Sequence, residues 1–281
     1  MPQSRTRMSL LCPNCKKLIS GSTASCPFCG LSKPSSRFKN NIFSRSISSP
    51  EQLTTILISL NVILFIFSVI LTPTRTSFNF SPFSFLSPSS QSLFILGSTG
   101  SIPLFQYDRW WTLITASFLH GSALHLIFNM LAVRQLAPLV IKEFGPYRTI
   151  TIYIIGGIGG FALSAFAGVR LTIGASAALC SLIGALLYYG KSRGGVYGQA
   201  IFNQIGGWAL GIVVFGFLVP GINNWGHVGG IIFGILLALI LGYQDKRKEN
   251  FNHKSLAMIC IFATILSLLW SCFGAVLYLL F

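Results

Sequence analysis

Seven long runs of apolar residues decide what this chain can fold into. A helix needs about 20 mostly apolar residues to cross the hydrocarbon core of a bilayer. The predicted spans are 53–71, 119–140, 149–168, 174–190, 200–220, 226–243 and 256–281. Only 9% of the residues are charged, whereas a soluble domain carries about 25%. The sequence therefore predicts an all-α membrane protein, a polytopic helical bundle, and excludes an ordinary soluble enzyme.

The distribution of positive charge predicts the orientation of these spans. The first apolar run begins only at Leu53, which is too late for a cleaved signal peptide. If the N-terminus is cytoplasmic, Arg75, Arg109 and Arg170 lie outside, and the other 17 of the 20 Lys and Arg residues lie inside. Such an excess is typical of cytoplasmic loops. We expect a multi-pass protein of the cell or inner membrane with Phe281 outside. The net charge of +15 then reports topology, and we expect no nucleic-acid partner.

Changes in composition divide the chain into four parts. Residues 1–35 form a cysteine-bearing module, 36–52 a basic flexible linker, 53–243 the membrane core, and 244–281 a cytoplasmic loop with an additional helix. The long external segment 72–118 is rich in Ser, Phe and Pro, which is compatible with a disordered loop. Its many aromatic residues instead favour a segment that lies in the membrane interface.

The N-terminal module carries two CxxC pairs that predict a small zinc ribbon. Four thiolates can close a tetrahedral shell around Zn²⁺, and the four predicted ligands are Cys12, Cys15, Cys26 and Cys29. Two disulfides or a redox pair are the alternatives, but stable disulfides are rare on the cytoplasmic side. The segment is too short for a hydrophobic core, so metal binding would supply its folding energy. A cytoplasmic protein is the partner that we consider for this ribbon.

Five polar residues in three of the predicted spans are candidates for chemistry, because polar groups inside a membrane are costly. His120, His125 and Asn129 lie in span 119–140, Ser176 near the start of the fourth span, and His227 near the start of the sixth. All three spans enter from the outside, so these side chains share a shallow layer below the outer surface. His125 and Asn129 are four residues apart and share a helix face.

This set of residue types is suited to nucleophilic catalysis. A serine hydroxyl becomes a nucleophile when a histidine within hydrogen-bond reach takes its proton. Asn, His and a backbone N–H at a helix start can stabilise the developing oxyanion. None of the three spans contains Asp or Glu, so a Ser–His dyad is available but a triad is not. Each residue taken alone is more often a packing residue, and only their agreement in depth favours a site.

Small residues on two of these spans favour a close approach of the helices. Gly226, Gly230 and Gly234 lie on one face of span 226–243, and span 174–190 is also rich in small residues. Small residues let two helix backbones approach closely in lipid. This packing would bring Ser176 and His227 together.

At this point the sequence resembles the rhomboid family of intramembrane serine proteases, over roughly residues 53–243. The resemblance rests on His120-Gly-Ser-Ala-Leu-His125-Leu-Ile-Phe-Asn129, on Gly174-Ala-Ser176, and on Asn224-Trp225-Gly226-His227-Val-Gly229-Gly230. It implies a rhomboid-like six-helix core with a seventh C-terminal helix, to which the zinc ribbon is an accessory.

The resemblance also implies roles for the candidate residues. Ser176 is the expected nucleophile and His227 the expected general base, and no cofactor is needed for catalysis. His125, Asn129 and the backbone N–H of Ser176 form the expected oxyanion hole. The expected structural supports are His120, Gly174, Gly226 and Gly230. The implied substrates are transmembrane proteins, cleaved near the outer face of the bilayer beside a small residue.

Two departures from the family pattern bear on these expectations. Ala177 follows the serine where the family commonly has Gly, and its methyl would either narrow the approach of span 226–243 or tilt the oxyanion N–H. We expect the change to be tolerated, because Ala is small and favours a helix. Thr112 stands where the family's external loop commonly has Arg. Two other functions stay open: a rhomboid-like binding protein without turnover, and a transporter that relays protons through its histidines. The transporter is disfavoured because the sequence has no evident repeated halves.

Overall fold

The computed structural model describes residues 9–13, 17–28, 34–35, 49–72, 85–219 and 221–280. The chain divides into two compact units, residues 1–53 and 54–281. Each unit is described by itself.

The first unit contains a short antiparallel hairpin. Strand β1 spans Ser9–Leu11 and strand β2 spans Leu18–Ser20, with Leu10 opposite Ile19 and Leu11 opposite Leu18. Ile19 is buried together with Cys12 and Cys26, and Leu10 packs against them. The other two predicted zinc ligands, Cys15 and Cys29, lie outside the described residues. The zinc site therefore stays a prediction.

The second unit is helical. The first long helix is α1, Pro50–Ile70. Four short elements follow it in the sequence: α2 Ser90–Ile95, α3 Ser101–Phe105, α4 Thr112–Thr115 and the 3₁₀ turn Ala116–Phe118. The remaining long helices are α5 Ala123–Phe144, α6 Pro146–Phe166, α7 Ser176–Arg193, α8 Gly195–Leu218, α9 Asn224–Leu241 and α10 Phe251–Leu280.

Six of these helices are long and apolar enough to cross a membrane. They are α1, α5, α6, α8, α9 and the stretch Phe251–Tyr278 of α10. The prediction of a polytopic helical membrane protein is confirmed in this form. The fourth predicted span, 174–190, corresponds to α7. This helix is not among the six, because Lys191 and Arg193 in its last turn lower its mean hydropathy. The arrangement of six spans plus one, and the side on which each terminus lies, stay predictions.

Helix α7 is the centre of the bundle. Its side chains are buried continuously from Ala177 to Leu186, and it packs against α5, α6, α8 and α9. A helix that is surrounded by other helices does not face lipid, so its sequence is free to be less apolar than that of its neighbours. This position explains why the helix that begins at Ser176 is the least lipophilic of the long helices.

The described part of the external segment, residues 85–118, is structured by α2, α3, α4 and the 3₁₀ turn. Phe105, Tyr107 and Trp110 are about half exposed. Their rings pack edge-on with neighbouring rings, for example Phe105 against Trp110 with centroids 5.9 Å apart. Residues 85–118 therefore form ordered helices and turns and are not a disordered loop. Their location in the membrane interface stays a prediction.

The end of the bundle opposite Ser176 is closed by the loop between α9 and α10. Arg148 is fully buried there. Its Nη1 donates to the carbonyl of Phe144 at 3.0 Å and its Nη2 to the carbonyl of Arg247 at 2.6 Å. Its backbone N–H donates to Oε1 of Glu249 at 2.8 Å. These bonds attach the loop between α9 and α10 to the α5–α6 corner.

One carboxylate lies inside a helix of the candidate site. Helix α5 continues past the predicted span 119–140 and includes Glu143. Eighteen residues separate Glu143 from His125, which is about 27 Å along a helix at 1.5 Å per residue. Glu143 is therefore too far along the helix to reach the ring of His125, and a Ser–His dyad stays the prediction for the site.

Candidate functional site

Helix α5 supplies His125 and Asn129. Its N-cap is Ser122, whose side-chain oxygen accepts from the backbone N–H of His125 at 3.2 Å. The ring Nδ1 of His125 accepts from the N–H of Gly121 at 3.4 Å. An Nδ1 that accepts a hydrogen bond leaves the proton of the neutral ring on Nε2. His125 therefore presents an N–H donor at Nε2.

Gly174 brings this donor to the start of α7. Gly174 has a φ of +120°, and its N–H donates to the carbonyl of Ala116 at 2.9 Å. A Cβ added here would lie 2.8 Å from both Cε1 and Nε2 of His125, and 3.7 Å from Oγ of Ser176. The His125 ring thus packs directly on the Gly174 backbone beside the Ser176 hydroxyl. Any side chain at position 174 would displace the ring.

Ser176 is the first residue of α7 and is half-buried. The first N–H groups of a helix have no partner within the helix, so the backbone N–H of Ser176 points out of the helix start as a donor. Asn129 lies one turn below His125 and is buried, and its Nδ2 donates to the His125 carbonyl at 2.9 Å. Its amide has a second N–H beyond this bond.

Close contact between α7 and α9 positions the first turns of both helices. A Cβ added to Gly230 would lie 2.3 Å from the carbonyl oxygen of Ala177. A Cβ added to Gly234 would lie 2.0 Å from the carbonyl oxygen of Ser181. Only glycine permits such an approach of two backbones. Because Ser176 precedes Ala177 and His227 lies one turn before Gly230, the contact brings the two first turns together.

The methyl group of Ala177 lies close to Gly160 of α6. Ala177 is buried in a cluster with Ala116 and Phe161, and its Cβ would lie 3.2 Å from a Cβ added to Gly160 of α6. The carbonyl oxygen of Ala177 is the atom nearest to a Cβ added at Gly230. The effect of the Ala177 methyl on the approach of α9 stays a prediction.

His227 is half-buried in the first turn of α9, and its Nδ1 is buried without a hydrogen-bond partner among the described residues. The helix start is fixed by Asn223, whose Oδ1 accepts from the N–H of Gly226 at 2.9 Å. The Nδ2 of Asn223 donates to Oγ of Ser164 at 2.7 Å and to Oγ1 of Thr172 at 2.9 Å. Asn223 thus ties the His227 helix to α6 and to the loop before Ser176.

Sequence reasoning missed Asn223. Its signal was the Asn-Asn pair immediately before the glycine-rich start of α9, since Asn is a favoured N-cap. Its two donor bonds to Ser164 and Thr172 have no signal in the sequence.

His120 lies behind His125, with ring centroids 5.0 Å apart and an interplanar angle of 67°. It is fully buried. Neither of its ring nitrogens has a hydrogen-bond partner among the described residues. Its ring packs against the ring of His125, and its role as a structural support stays a prediction.

Arg109 anchors the external segment. Its Nη1 and Nη2 donate to the carbonyls of Phe94 and Ile95 at 2.8 and 3.1 Å. Its guanidinium also lies 4.6 Å from the ring centroids of Phe94 and Trp111. Partial burial lowers the pKa of Arg109, although a guanidinium stays charged in a protein.

Thr112 has a different role from the arginine that the family commonly carries there. Its Oγ1 donates to the carbonyl of Arg109 at 2.6 Å and lies 3.1 Å from Oγ1 of Thr99. Thr99 pairs with Thr172 through two backbone hydrogen bonds of 3.0 and 2.7 Å. The loop is therefore anchored by Arg109 and two threonines, and sequence reasoning assigned Arg109 no role.

The fold and this cluster define a class: a polytopic helical membrane protein with Ser, His and Asn gathered where three helices begin. Residues 107–244 match the family profile described as Rhomboid domain. Among curated relatives, RHOMBOID-like protein 6, mitochondrial, of Arabidopsis thaliana is 34% identical over 186 residues, which are 63% of this chain and 60% of that protein.

Two further relatives carry the word protease in their names. Rhomboid protease GluP of Bacillus subtilis is 30% identical over 188 residues, covering 66% of this chain and 36% of that protein. Rhomboid-like protease 5 of Toxoplasma gondii is 30% identical over 160 residues, covering 56% of this chain and 19% of that protein. The matched domain and these relatives show that the chain is similar to rhomboid-family proteins. The chain spans less than two thirds of the length of these relatives, so its own activity, substrates and partners are proposals.

Proposed function

We propose that this chain is an intramembrane serine endopeptidase that cleaves transmembrane proteins near the outer face of the bilayer. The observation that carries the proposal is the packing of the His125 ring on Gly174 beside the Ser176 hydroxyl. The close contact of α7 with α9 at Gly230, one turn from His227, supports it.

In the proposed reaction, Ser176 Oγ attacks the scissile carbonyl and His227 accepts the hydroxyl proton. The carbonyl oxygen becomes an oxyanion, which the N–H of Ser176, Nε2–H of His125 and the free amide N–H of Asn129 stabilise. Electrostatic stabilisation of this kind is usually the largest catalytic contribution. His227 then gives its proton to the leaving amine, and an ester on Ser176 remains. Water, deprotonated by His227, hydrolyses this ester and regenerates the serine.

The environment of His227 supports a dyad. Its Nδ1 is buried without a partner in the described part of the chain, so no carboxylate orients the ring from that side. In this proposal the ring is held by its position in the first turn of α9, which the Asn223 cap fixes. In a triad, a hydrogen bond from a carboxylate orients the histidine. In the proposed dyad, the packing of the helices orients it instead.

The substrate class follows from the location of the site. A transmembrane helix hides its carbonyls in internal hydrogen bonds, so the preferred substrates are helices that unwind easily at this depth. Water must reach the ester, which implies a polar cavity open to the outside. The positive-inside pattern supports a cytoplasmic N-terminus and an outer C-terminus.

The zinc ribbon belongs to the same proposal as an accessory. Cys12 and Cys26 are buried side by side with Ile19 in one small cluster, which supports a shared ligand shell with Cys15 and Cys29. In this proposal zinc stabilises the N-terminal unit and takes no part in catalysis, and a cytoplasmic protein is the partner that the ribbon would recruit.

The experiment compares cleavage of a model single-span substrate in liposomes, together with labelling by a serine-directed fluorophosphonate. The variants are Ser176→Ala and the matched control Ser192→Ala, which removes a hydroxyl at the other end of the same helix. We expect Ser176→Ala to lose both signals and Ser192→Ala to keep both. Equal cleavage by Ser176→Ala refutes the mechanism. Absence of labelling in the wild type supports a binding protein, and solute transport that survives Ser176→Ala supports a transporter.

A further inference from the structure

The N-terminal hairpin exposes an apolar pair on its outer face. Leu11 and Leu18 are 61% and 64% exposed and lie directly opposite each other across the two strands. Side chains opposite each other in an antiparallel pair have Cβ atoms about 5 Å apart. The inward face is already filled by Leu10 and Ile19. The outer face therefore presents two adjacent aliphatic side chains that the described residues of the first unit leave largely exposed.

The same unit also exposes an aromatic ring beside a cation. Phe28 is 56% exposed, and Nζ of Lys17 lies 4.7 Å from its ring centroid. Lys17 is the immediate neighbour of Leu18, so the ring stands at the end of the hairpin. Leu, Phe and Lys are the residue types with which amphipathic surfaces enter a membrane interface.

The charge of the N-terminal segment is of one sign. None of the first 50 residues is acidic, and the first acidic residue of the chain is Glu51. The same segment carries eight cations, namely Arg5, Arg7, Lys16, Lys17, Lys33, Arg37, Lys39 and Arg45. Each Lys or Arg near an anionic leaflet contributes about 1 kcal/mol of attraction. A surface without carboxylates meets no local repulsion from anionic headgroups.

We propose that the outer face of this hairpin, formed by Leu11 and Leu18, docks on the anionic headgroup region of the bilayer in which the chain itself resides, and that the exposed Phe28 ring of the same unit takes part. The apolar side chains enter the interface, and the cations of the N-terminal segment pair with lipid phosphates and carboxylates. A nucleic acid would use the cations but has no use for an exposed leucine pair, whereas a lipid interface uses both. The inference is independent of the proposed proteolysis.

The covalent connection favours this occupant further. Residues 29–49 connect Phe28 to the start of α1. A segment of 21 residues spans about 70 Å at most when it is fully extended. The bilayer surface around α1 is thus always within reach, and the tether raises its effective concentration. A weak affinity of the hairpin for lipid is then sufficient for docking.

The test uses the full chain in nanodiscs of phosphatidylcholine, with or without phosphatidylserine. A solvatochromic amino acid, introduced at Ser20 by amber suppression, reports on the outer face beside Leu18. Quenching by acrylamide, which is uncharged, measures how much of the probe stays in water. We expect phosphatidylserine to lower the quenching constant about twofold or more, because docking removes the probe from water. High salt should reverse much of this protection.

Two variants separate apolar insertion from charge. Leu11→Ser combined with Leu18→Ser should lose the protection, while Ser9→Ala combined with Ser22→Ala should keep it. Hydrogen exchange at Leu10 and Ile19 verifies that the hairpin is folded in each. The proposal is overturned if the unsubstituted chain is quenched equally in both lipids, or if the leucine variant, folded, is protected as before. A response to a double-stranded oligonucleotide without a response to phosphatidylserine also overturns it and identifies a nucleic-acid surface.

Discussion

A single methyl group on Gly230 is expected to remove most of the proposed activity. A Cβ at this position would lie 2.3 Å from the carbonyl oxygen of Ala177 and 2.9 Å from Cβ of Cys180, whereas ordinary contact begins at 3.4 Å. Restoring ordinary contact requires α7 and α9 to separate by about 1 Å. The separation falls one turn from His227 and one residue from Ser176. A misplacement of about 1 Å costs catalysis about 100-fold.

The stability change is smaller than the change in activity. Overpacking costs about 1–3 kcal/mol, but replacing a helical Gly by Ala regains about 1 kcal/mol in helix propensity. The net destabilisation of Gly230→Ala should therefore be about 0–2 kcal/mol. Gly211→Ala is the matched control, because Gly211 is also helical but an added Cβ there would meet no described atom within 4 Å outside the backbone of its own helix. The difference between the two variants isolates the cost of overpacking.

The assay is the initial rate of cleavage of a single-span substrate in liposomes, with thermal unfolding in micelles measured in parallel. Gly211→Ala should match the wild type in rate and equal or exceed it in stability. Gly230→Ala should remain folded and lose about two orders of magnitude in rate. If folded Gly230→Ala cleaves as fast as Gly211→Ala, the reasoning that this contact sets the geometry of the dyad is refuted.

Four further predictions follow from contacts outside the dyad. Asn223→Ala should lower the free energy of unfolding by about 1–2 kcal/mol through loss of a helix cap and two donor bonds, and Asn223→Asp should recover part of it because the cap remains. Arg109→Ala should lower the thermal midpoint and the cleavage rate, and Arg109→Lys should not restore them, since an ammonium cannot serve two carbonyls and two rings at once; unchanged midpoints would contradict the anchoring role. Burial raises the pKa of Glu249, so the native state keeps this proton to a higher pH than the unfolded chain, and stability should fall as the pH rises between the two pKa values. Glu249→Gln should remove that fall in thermal unfolding measured over a pH series. Chelation, or Cys12→Ser, should remove about one zinc per chain by elemental analysis and unprotect the hairpin in hydrogen exchange, without changing the cleavage rate in detergent.

How far the sequence predicts the site can be judged from His125 and Asn129. Their spacing of four residues placed them on one face of a helix, and in the structure Asn129 bonds back to the His125 carbonyl. This success is local, because the 3.6-residue period of a helix is fixed by the backbone alone. The same local reasoning identified the glycine face of α9 as a surface for close approach.

The fourth predicted span shows where local reasoning ends. A window of apolar residues at 174–190 cannot reveal that α7 is enclosed by four other helices. Burial among helices and burial in lipid favour similar residues, so hydropathy does not separate them. The methyl of Ala177 is a second case, since only the packing of α6 and α9 decides which helix it meets.

Contacts between distant segments were beyond the sequence altogether. Arg109 donates to carbonyls 14 and 15 residues away, and Asn223 bonds to groups 51 and 59 residues away. A single sequence carries no periodicity that records such pairs. Both residue types are common at the surface, and their roles became visible only when their partners were placed.

The sequence by itself determined the class of molecule, the approximate helices, and the serine, histidine and asparagine that the proposed chemistry needs, because hydropathy and helical period are properties of neighbouring residues. The tertiary structure decided which residues hold that chemistry in place. The His125 ring lies on Gly174, the Ala177 carbonyl meets Gly230, Asn223 joins three segments, and Arg109 anchors the external loop. The physical reason is that backbone approach, caps and buried donors depend on atoms brought together from distant parts of the chain, and only close packing in three dimensions fixes those distances.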